Sequence, residues 1–229
     1  MGRKIVPLTR DNVEDLPSPC RTCTLWELAS KASGPATKGE WVSSVLLDWG
    51  SCGRVLYVDD DVAGFATYAP SQYVEGAHSF VGTSVSPDAV LLMTARILPA
   101  YLGGGLGRLL IQSVVKDLMG RRRVRGIEAF GDAQGHENSC VVPAAFLTAV
   151  GFKTIQAHPR YPRLRLDLHG VLTWRDDVEL AVERWLGAIR PSALRPGSRQ
   201  PEPGAGPVGA APRHQPRNSD SWLSNDALG

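Results

Sequence analysis

A dense cluster of glycines is the most distinctive chemical feature of the sequence. Four of the five positions 103–107 are glycine, directly before a segment in which apolar residues repeat with helical spacing. The first N–H groups of a helix lack partners within it, and the helix dipole is positive at that end. Glycine also lets a phosphate come close to the backbone. The stretch therefore predicts an anion site formed by Leu102, Gly103, Gly104, Gly105, Leu106, Gly107 and Arg108.

Two familiar phosphate motifs do not fit this spacing. A P-loop ends in Gly-Lys followed by Ser or Thr, and the G-x-G-x-x-G dinucleotide pattern fails because Arg108 occupies the position of its third glycine. An ordinary tight turn between a strand and a helix is the alternative interpretation, because glycine is also the usual residue where φ is positive. Such a turn does not require four glycines, which favours the phosphate interpretation.

Titratable and nucleophilic side chains elsewhere in the chain offer further chemistry. His136 lies in a predicted loop with Asp132 and Glu137, and a histidine can accept a proton near neutral pH. A solvent-exposed histidine without a chemical role is the alternative. Cys20 and Cys23 form a C-x-x-C pair, but two cysteines supply only half of the four ligands of a structural zinc. We therefore predict packed thiols there and no metal site.

The elements that must position these residues can be predicted from periodicity and turn residues. The glycine cluster lies between an apolar strand and an amphipathic helix, which is a phosphate-binding order. The pattern as a whole predicts a mixed α/β layer with helices on the faces of a sheet. The predicted strands are 54–58, 62–68, 89–98, 126–130, 152–157 and 164–168, and the predicted helices are 39–49, 105–119 and 143–150.

One domain with an appended tail accounts for the length of 229 residues. We predict a domain over residues 1–190, with its core at 6–168 and an extra amphipathic helix at about 174–189. From Pro191 onward, Pro and Gly are interleaved with Ser, Ala and Arg, a composition that cannot bury a core. The segment 191–229 is therefore predicted to be a disordered tail.

Two separated motifs resemble the GNAT superfamily of acetyltransferases. The run Ile97-Leu98-Pro99-Ala100-Tyr101 is similar to the strand exit before the family's pyrophosphate motif, and Gly105 and Gly107 match the glycines of that motif. Downstream, residues 146–152 are similar to the family's Phe-Tyr-x-x-x-Gly-Phe signature. The resemblance covers residues 6–168. It implies a central mixed, mostly antiparallel sheet with helices on both faces, and acetyl-CoA as the cofactor.

The resemblance also implies roles for individual residues. The strand edge at Ala95 and Ile97 would pair with the pantetheine arm, and a backbone N–H would polarise the thioester carbonyl. Glu128 lies on the strand where family members often place the catalytic base, although a paired carboxylate without a chemical role is the alternative. Because Leu147 occupies the position of the family's usual tyrosine acid, Tyr161 is the candidate replacement. A tyrosine that only covers the sheet is the alternative.

Two further positions depart from the family pattern. Leu102 stands where Arg or Gln usually opens the pyrophosphate motif, and Cys140 stands where an asparagine commonly contacts the pantetheine arm. The backbone N–H groups of the glycine cluster do not depend on either side chain. The two departures therefore affect the predicted side-chain contacts with the cofactor more than they affect the predicted anion site.

Composition and charge argue against several classes of function. A formal net charge of +2 is too small for a general nucleic-acid binder, and no apolar run reaches the roughly 18 residues of a membrane-spanning helix. We expect a cytoplasmic N-acetyltransferase in which an amine of a small molecule or a protein directly attacks acetyl-CoA in a ternary complex. The identity of that acceptor, the acyl chain length and the oligomeric state stay open. A non-catalytic acyl-CoA-binding sensor or interaction module on the same fold is the alternative.

Overall fold

The computed structural model describes residues 2–27, 37–80, 84–136 and 139–168. The predicted helix at about 174–189 and the predicted tail at 191–229 lie outside the described residues. Within the described ranges, four short 3-10 helices occur at Val13–Asp15, Ser71–Tyr73, Glu75–Ser79 and Pro99–Tyr101. The strands and α-helices are, in chain order, β1 (Arg3–Pro7), α1 (Lys38–Trp49), β2 (Gly53–Val58), β3 (Asp61–Pro70), β4 (Ala89–Ile97), α2 (Leu106–Met119), β5 (Gly126–Asp132), β6 (Val142–Pro143), α3 (Ala144–Ala149), β7 (Lys153–Gln156) and β8 (Arg163–Asp167).

The strands form one mixed sheet. Its order is β1-β2-β3-β4-β5-β8-β7, with the short β6 beside β5. Neighbouring strands are antiparallel except at β4–β5 and β5–β6, which are parallel. The predicted mixed, mostly antiparallel sheet is therefore confirmed.

Successive side chains of the central strands enter two separate hydrophobic clusters, one on each face of the sheet. In β4, Val90 and Leu92 belong to the cluster that includes α2 and α3, whereas Leu91 and Met93 belong to the cluster that includes α1. This alternation is the period of two expected of a strand whose two faces are both covered. The predicted placement of helices on both faces is confirmed.

Helix α2 is held tightly against the sheet. Its buried stripe, which includes Leu106, Leu110 and Leu118, follows helical spacing and packs on the first of the two clusters. Near its C-terminal end, Asp117 accepts a hydrogen bond from the Tyr68 hydroxyl at 2.8 Å and pairs with Arg54. These contacts fix the helix, and with it the position of the glycines that precede its N-terminus.

Most predicted elements are confirmed to within a few residues. The Thr37 side chain caps α1 by accepting a hydrogen bond from the Glu40 N–H, and Gly50 ends the helix with a φ of 85°. Threonine is a common residue at the start of a helix, and glycine is common just after its end. Two strands were not predicted, because β1 is half exposed without clear alternation and β6 has only two residues. Across the described ranges, no helix is long and apolar enough to cross a membrane.

Candidate functional site

A groove opens where β4 and β5 separate. The two strands pair only over residues 89–91 of β4, although β4 continues to Ile97. The space between them is a cavity of about 850 Å³, lined on one side by residues 94–97 of β4 and on the other by residues 139–143. In the described pairings, β4 beyond Leu91 has no partner strand on the side of β5, and residues 94–97 of this part line the groove.

The glycine loop, residues 102–107, lies at one end of the groove. Gly103 and Gly105 adopt φ angles of 84° and 72°, the left-handed region that favours glycine. A Cβ atom at either position would meet nothing within 4 Å. No side chain caps the N-terminus of α2, so the backbone N–H groups of its first turn are available to an anion.

The structure gathers nearly all of the predicted cofactor residues around this groove. Gly104 does not line it, and Leu102, which does, is 67% exposed. Leu102 is therefore accessible to a ligand in the groove. The predicted residues that line the groove are Ala95, Ile97, Leu102, Gly103, Gly105, Leu106, Gly107 and Arg108.

Helix α3 closes the same end of the groove through two contacts with α2. A Cβ atom on Gly107 would lie 2.8 Å from Cε2 of Phe146, so any larger residue here would force the Phe146 ring to shift. The Arg108 guanidinium donates to the Ala149 carbonyl oxygen at 2.8 Å, which satisfies an orphan acceptor at the end of α3. Glycine at position 107 is thus explained by close packing against Phe146, whereas glycine at positions 103 and 105 is explained by a positive φ angle.

His136 lies on the groove wall beside a buried carboxylate. Its Nδ1 is 2.8 Å from Oδ2 of Asp132, whose side chain is 1% exposed while that of His136 is 51% exposed. Burial opposes ionisation of Asp132. Hydrogen bonds from His136 and from the backbone N–H groups of Gln134 and His136 outweigh burial and hold the Asp132 pKa below its usual value. The pair is an oriented imidazole open to solvent and to the groove.

Glu128 lies in a different environment. Its side chain is fully buried, 3.2 Å from Arg165 and 3.6 Å from Arg163. The Ser86 N–H donates to the same carboxylate at 3.3 Å, and Glu128 does not line the groove. These contacts favour the alternative weighed from the sequence, a paired carboxylate, and the catalytic role predicted for Glu128 has no support from its geometry.

Tyr161 belongs to an aromatic group and not to the groove lining. Its ring meets that of Phe80 edge-on at 5.1 Å, and Phe80 stacks on both Trp26 and Phe130, with centroids 4.6 and 4.8 Å apart. This packing accounts for the tyrosine without a chemical role. The acid function predicted for Tyr161 stays a prediction that its position does not favour.

Three cysteines meet beside the groove, an arrangement that spacing did not indicate. Cys23 Sγ lies 3.5 Å from Cys140 Sγ, although 117 positions separate them in the chain. The Arg96 guanidinium lies 3.9 Å from Cys20 Sγ, and both Arg96 and Cys140 line the groove. The C-x-x-C spacing pointed to one pair only, and no sequence pattern connects that pair to Cys140.

The carbonyl of Cys140 is fixed from two directions. It accepts from Trp26 Nε1 at 3.3 Å and from Thr94 Oγ1 at 3.2 Å. These bonds hold the segment that follows β5 against β4 and against the segment that contains Cys20 and Cys23. Among the described residues, no group of three or more His, Cys, Asp or Glu side chains is arranged to hold a metal ion.

Comparisons with known proteins bear on the fold. No family model and no curated protein matches the sequence. The structure is similar to the aminoglycoside acetyltransferase AAC(6')-Ib in complex with coenzyme A, with a TM-score of 0.51 and 14% identity over 76% of this chain and 99% of that one. It also matches an N-acetyltransferase from Staphylococcus aureus Mu50 (TM-score 0.49, 12% identity, 73% and 99% covered) and the loading GNATL domain of CurA from Lyngbya majuscula (0.48, 14%, 74% and 100%).

Proposed function

This chain has the fold of the GNAT superfamily, and on that premise we propose that it is an acyl-CoA-dependent N-acyltransferase. One observation supports the proposal above the others. The groove between the separated strands β4 and β5 ends at the uncapped N-terminus of α2. A long ligand with an anionic end and an extended amide-containing arm fits such a groove, and acetyl-CoA is a ligand of that kind. The solved structure of AAC(6')-Ib contains coenzyme A.

Different residues along the groove would bind different parts of such a ligand. The N–H groups of the glycine loop would bind the pyrophosphate, since they are exposed at the positive end of the helix dipole. The free edge of β4 at Ala95 and Ile97 would pair with the amides of the pantetheine arm, as an added strand does. Arg96 and Arg108 also line the groove and add positive charge.

His136 is the best-placed group to take a proton from the acceptor. An amine with a pKa of roughly 10.4 is protonated at neutral pH and must lose a proton before it attacks the thioester. His136 lines the groove and is oriented by Asp132, whereas Glu128 and Tyr161 do not line it. We therefore assign the base to His136, with Asp132 as its positioning residue and direct attack by an amine of a small molecule or a protein.

A non-catalytic acyl-CoA-binding module is the second candidate. It is favoured by Leu147, which occupies the family's usual acid position and is fully buried in the hydrophobic core. Both candidates bind coenzyme A, but only the enzyme releases free thiol when an amine acceptor is supplied. A screen of thiol release from acyl-CoA across small amines and peptide N-termini separates them.

A pair of isosteric substitutions tests the anion site directly. Asn and Asp both tolerate the left-handed φ of Gly105, so Gly105→Asn and Gly105→Asp differ mainly in charge. A carboxylate at a helix N-terminus stabilises the helix but repels a phosphate. We expect Gly105→Asp to be at least as thermally stable as Gly105→Asn while binding coenzyme A about tenfold more weakly, or by ~1.4 kcal/mol.

Calorimetric titration with coenzyme A, beside thermal unfolding of each variant, measures both quantities. Equal affinity of the two variants would place the phosphate elsewhere. Absence of binding by the wild type at millimolar coenzyme A would end the proposal for enzyme and sensor alike.

A further inference from the structure

Two cysteines from distant parts of the chain are in contact beside the groove. Cys23 Sγ lies 3.5 Å from Cys140 Sγ, although 117 positions separate the two residues. Both side chains are partly exposed, and both thiols are free. The sulfur atoms would have to approach by about 1.5 Å to reach the length of a disulfide bond, roughly 2.05 Å. A change of this size is within the reach of side-chain rotation.

The backbone near the two thiols is held in place. The Cys140 carbonyl oxygen accepts hydrogen bonds from Trp26 Nε1 at 3.3 Å and from Thr94 Oγ1 at 3.2 Å. Trp26 follows Cys23 by three residues, so the first bond connects the segment that contains Cys23 to the segment that contains Cys140. Trp26 is buried and stacks on Phe80, with ring centroids 4.6 Å apart. The fold therefore keeps the two thiols together.

The other member of the C-x-x-C pair is placed differently. Cys20 is 6% exposed, and its Sγ lies 3.9 Å from the Arg96 guanidinium. Within the part of the chain that the structure describes, the hydrogen-bonded pair of thiols joins Cys23 to Cys140 and not to Cys20. In a flexible chain Cys20 would be the preferred partner of Cys23, because short loops close at the lowest entropic cost. The fold thus selects a partner that sequence spacing does not indicate.

We propose that Cys23 and Cys140 form a reversible disulfide by exchange with a low-molecular-weight disulfide such as oxidised glutathione. The Cys23 thiolate attacks one sulfur of the small disulfide, which forms a mixed disulfide on Cys23 and releases one small thiolate. The Cys140 sulfur then attacks Cys23 Sγ and releases the second small thiolate. The protons of Cys23 and Cys140 pass to these two thiolates, so two protein thiols are oxidised and one small disulfide is reduced.

The order of the two steps follows from the surroundings of Cys140. The Cys20 thiol, burial and the Cys23 thiol raise the Cys140 pKa, which makes Cys140 a poor nucleophile towards a dissolved oxidant. Its attack on Cys23 takes place within one molecule, where groups about 3–3.5 Å apart react as if they were very concentrated. Cys23 is therefore the residue that meets the oxidant, and Cys140 completes the disulfide bond.

The disulfide would join the N-terminal segment to the wall of the groove. Cys140 belongs to the residues 139–143 that line the groove opposite residues 94–97 of β4. The bond would close a loop that spans 117 positions, and a cross-link over a long loop stabilises a fold mainly by restricting the unfolded chain. Oxidation should therefore stabilise the molecule. The disulfide does not require that the groove bind coenzyme A.

Oxidation of the reduced full-length protein tests the proposal. The protein is incubated in a glutathione redox buffer, free thiols are trapped with iodoacetamide, and intact mass and peptide mapping without reductant locate any disulfide. We expect one disulfide per chain, between Cys23 and Cys140, and a melting temperature higher by roughly 5–10 °C. Dithiothreitol should reverse both changes. Cys23→Ala and Cys140→Ala should each abolish the cross-link and the rise in melting temperature.

Cys20→Ala and Cys52→Ala are the matched controls. Cys52 is fully buried, with its Sγ 3.6 Å from the Leu8 carbonyl oxygen. Both variants should still form the disulfide between Cys23 and Cys140 and show the same rise in melting temperature. Thermal unfolding of each reduced variant shows that it is folded. Oxidation of the wild type in denaturant should instead favour a disulfide between Cys20 and Cys23, because that loop is the shortest.

Two results would overturn the proposal. A disulfide between Cys20 and Cys23 in the native protein would show that spacing along the chain, and not the fold, selects the partner of Cys23. Glutathione adducts without a cross-link would show that Cys140 does not reach Cys23.

Discussion

Two carboxylates on the same strand show how environment sets the role of a residue. Glu128 and Asp132 both belong to β5 and both are buried, but Glu128 faces two arginines whereas Asp132 faces a histidine on the groove wall. The lowered Asp132 pKa has a consequence for stability. The stabilisation from its ionised form is present above the pKa of an unfolded aspartate, and it is lost as the pH falls through the lowered folded value.

Replacing each candidate base by glutamine distinguishes an effect on stability from an effect on catalysis. Glu128→Gln removes the buried carboxylate that Arg163 and Arg165 share, although Arg165 keeps Asp88 and Asp167 as partners. We therefore expect a loss of about 1–3 kcal/mol in the free energy of unfolding and nearly unchanged turnover per folded molecule. His136 is half exposed, so His136→Gln should leave stability nearly unchanged and lower turnover about 100-fold. Denaturant unfolding and thiol release measure the two effects. If Glu128→Gln instead lost turnover at full stability, Glu128 would be the base.

Backbone geometry was predictable where it is a local property of the chain. The glycine cluster marked the turn between a strand and a helix at which Gly103 and Gly105 adopt positive φ angles, whereas the anion site there stays a prediction. The setting of Glu128 was not predictable, since Arg163 and Arg165 reach it only through the pairing of β5 with β8. The contact between Cys23 and Cys140 likewise depends on how the segment after β5 packs on the N-terminal segment.

At the level of elements, periodicity predicted helices and long strands but not the contacts between them. The sequence pattern directly indicates helices, through apolar residues with a period near 3.6, and strands, through a period of two. The pattern does not indicate that α3 packs against the first turn of α2, because this contact joins residues about 40 positions apart. Gly107 is the clearest case, since its match to a phosphate motif gave no sign that a side chain there would meet Phe146.

Alanine at Gly107 tests this helix contact. A Cβ atom there would lie 2.8 Å from Phe146, so we expect Gly107→Ala to destabilise the protein by ~1–3 kcal/mol. Gly104→Ala is the control, because its nearest neighbour would be the Leu106 Cγ at 3.9 Å. Combined with Phe146→Leu, the Gly107→Ala cost should fall below the sum of the single changes. Strict additivity in denaturant unfolding would show that Gly107 and Phe146 do not interact.

At the scale of the molecule, the sheet consists of two groups of strands. Strands β1 to β4 form one group and β5, β7 and β8 form the other, and the sheet connects them through three paired positions of β4 and β5. Helix α2 packs on the first group and α3 on the second. The groove lies along the line where the two groups part.

This division of the sheet has a consequence for hydrogen exchange along β4 and β5. Residues 94–97 of β4 line the groove and pair with no strand on that side among the described residues, so we expect the N–H groups that point into the groove to exchange with deuterium rapidly in the free protein. A ligand paired with that edge would act as a missing strand. Bound coenzyme A should slow exchange on both sides of the groove, in β4 and β5 together, while leaving β1 and β2 unchanged. Protection confined to the glycine loop would show that the ligand binds at one end without joining the two halves of the sheet.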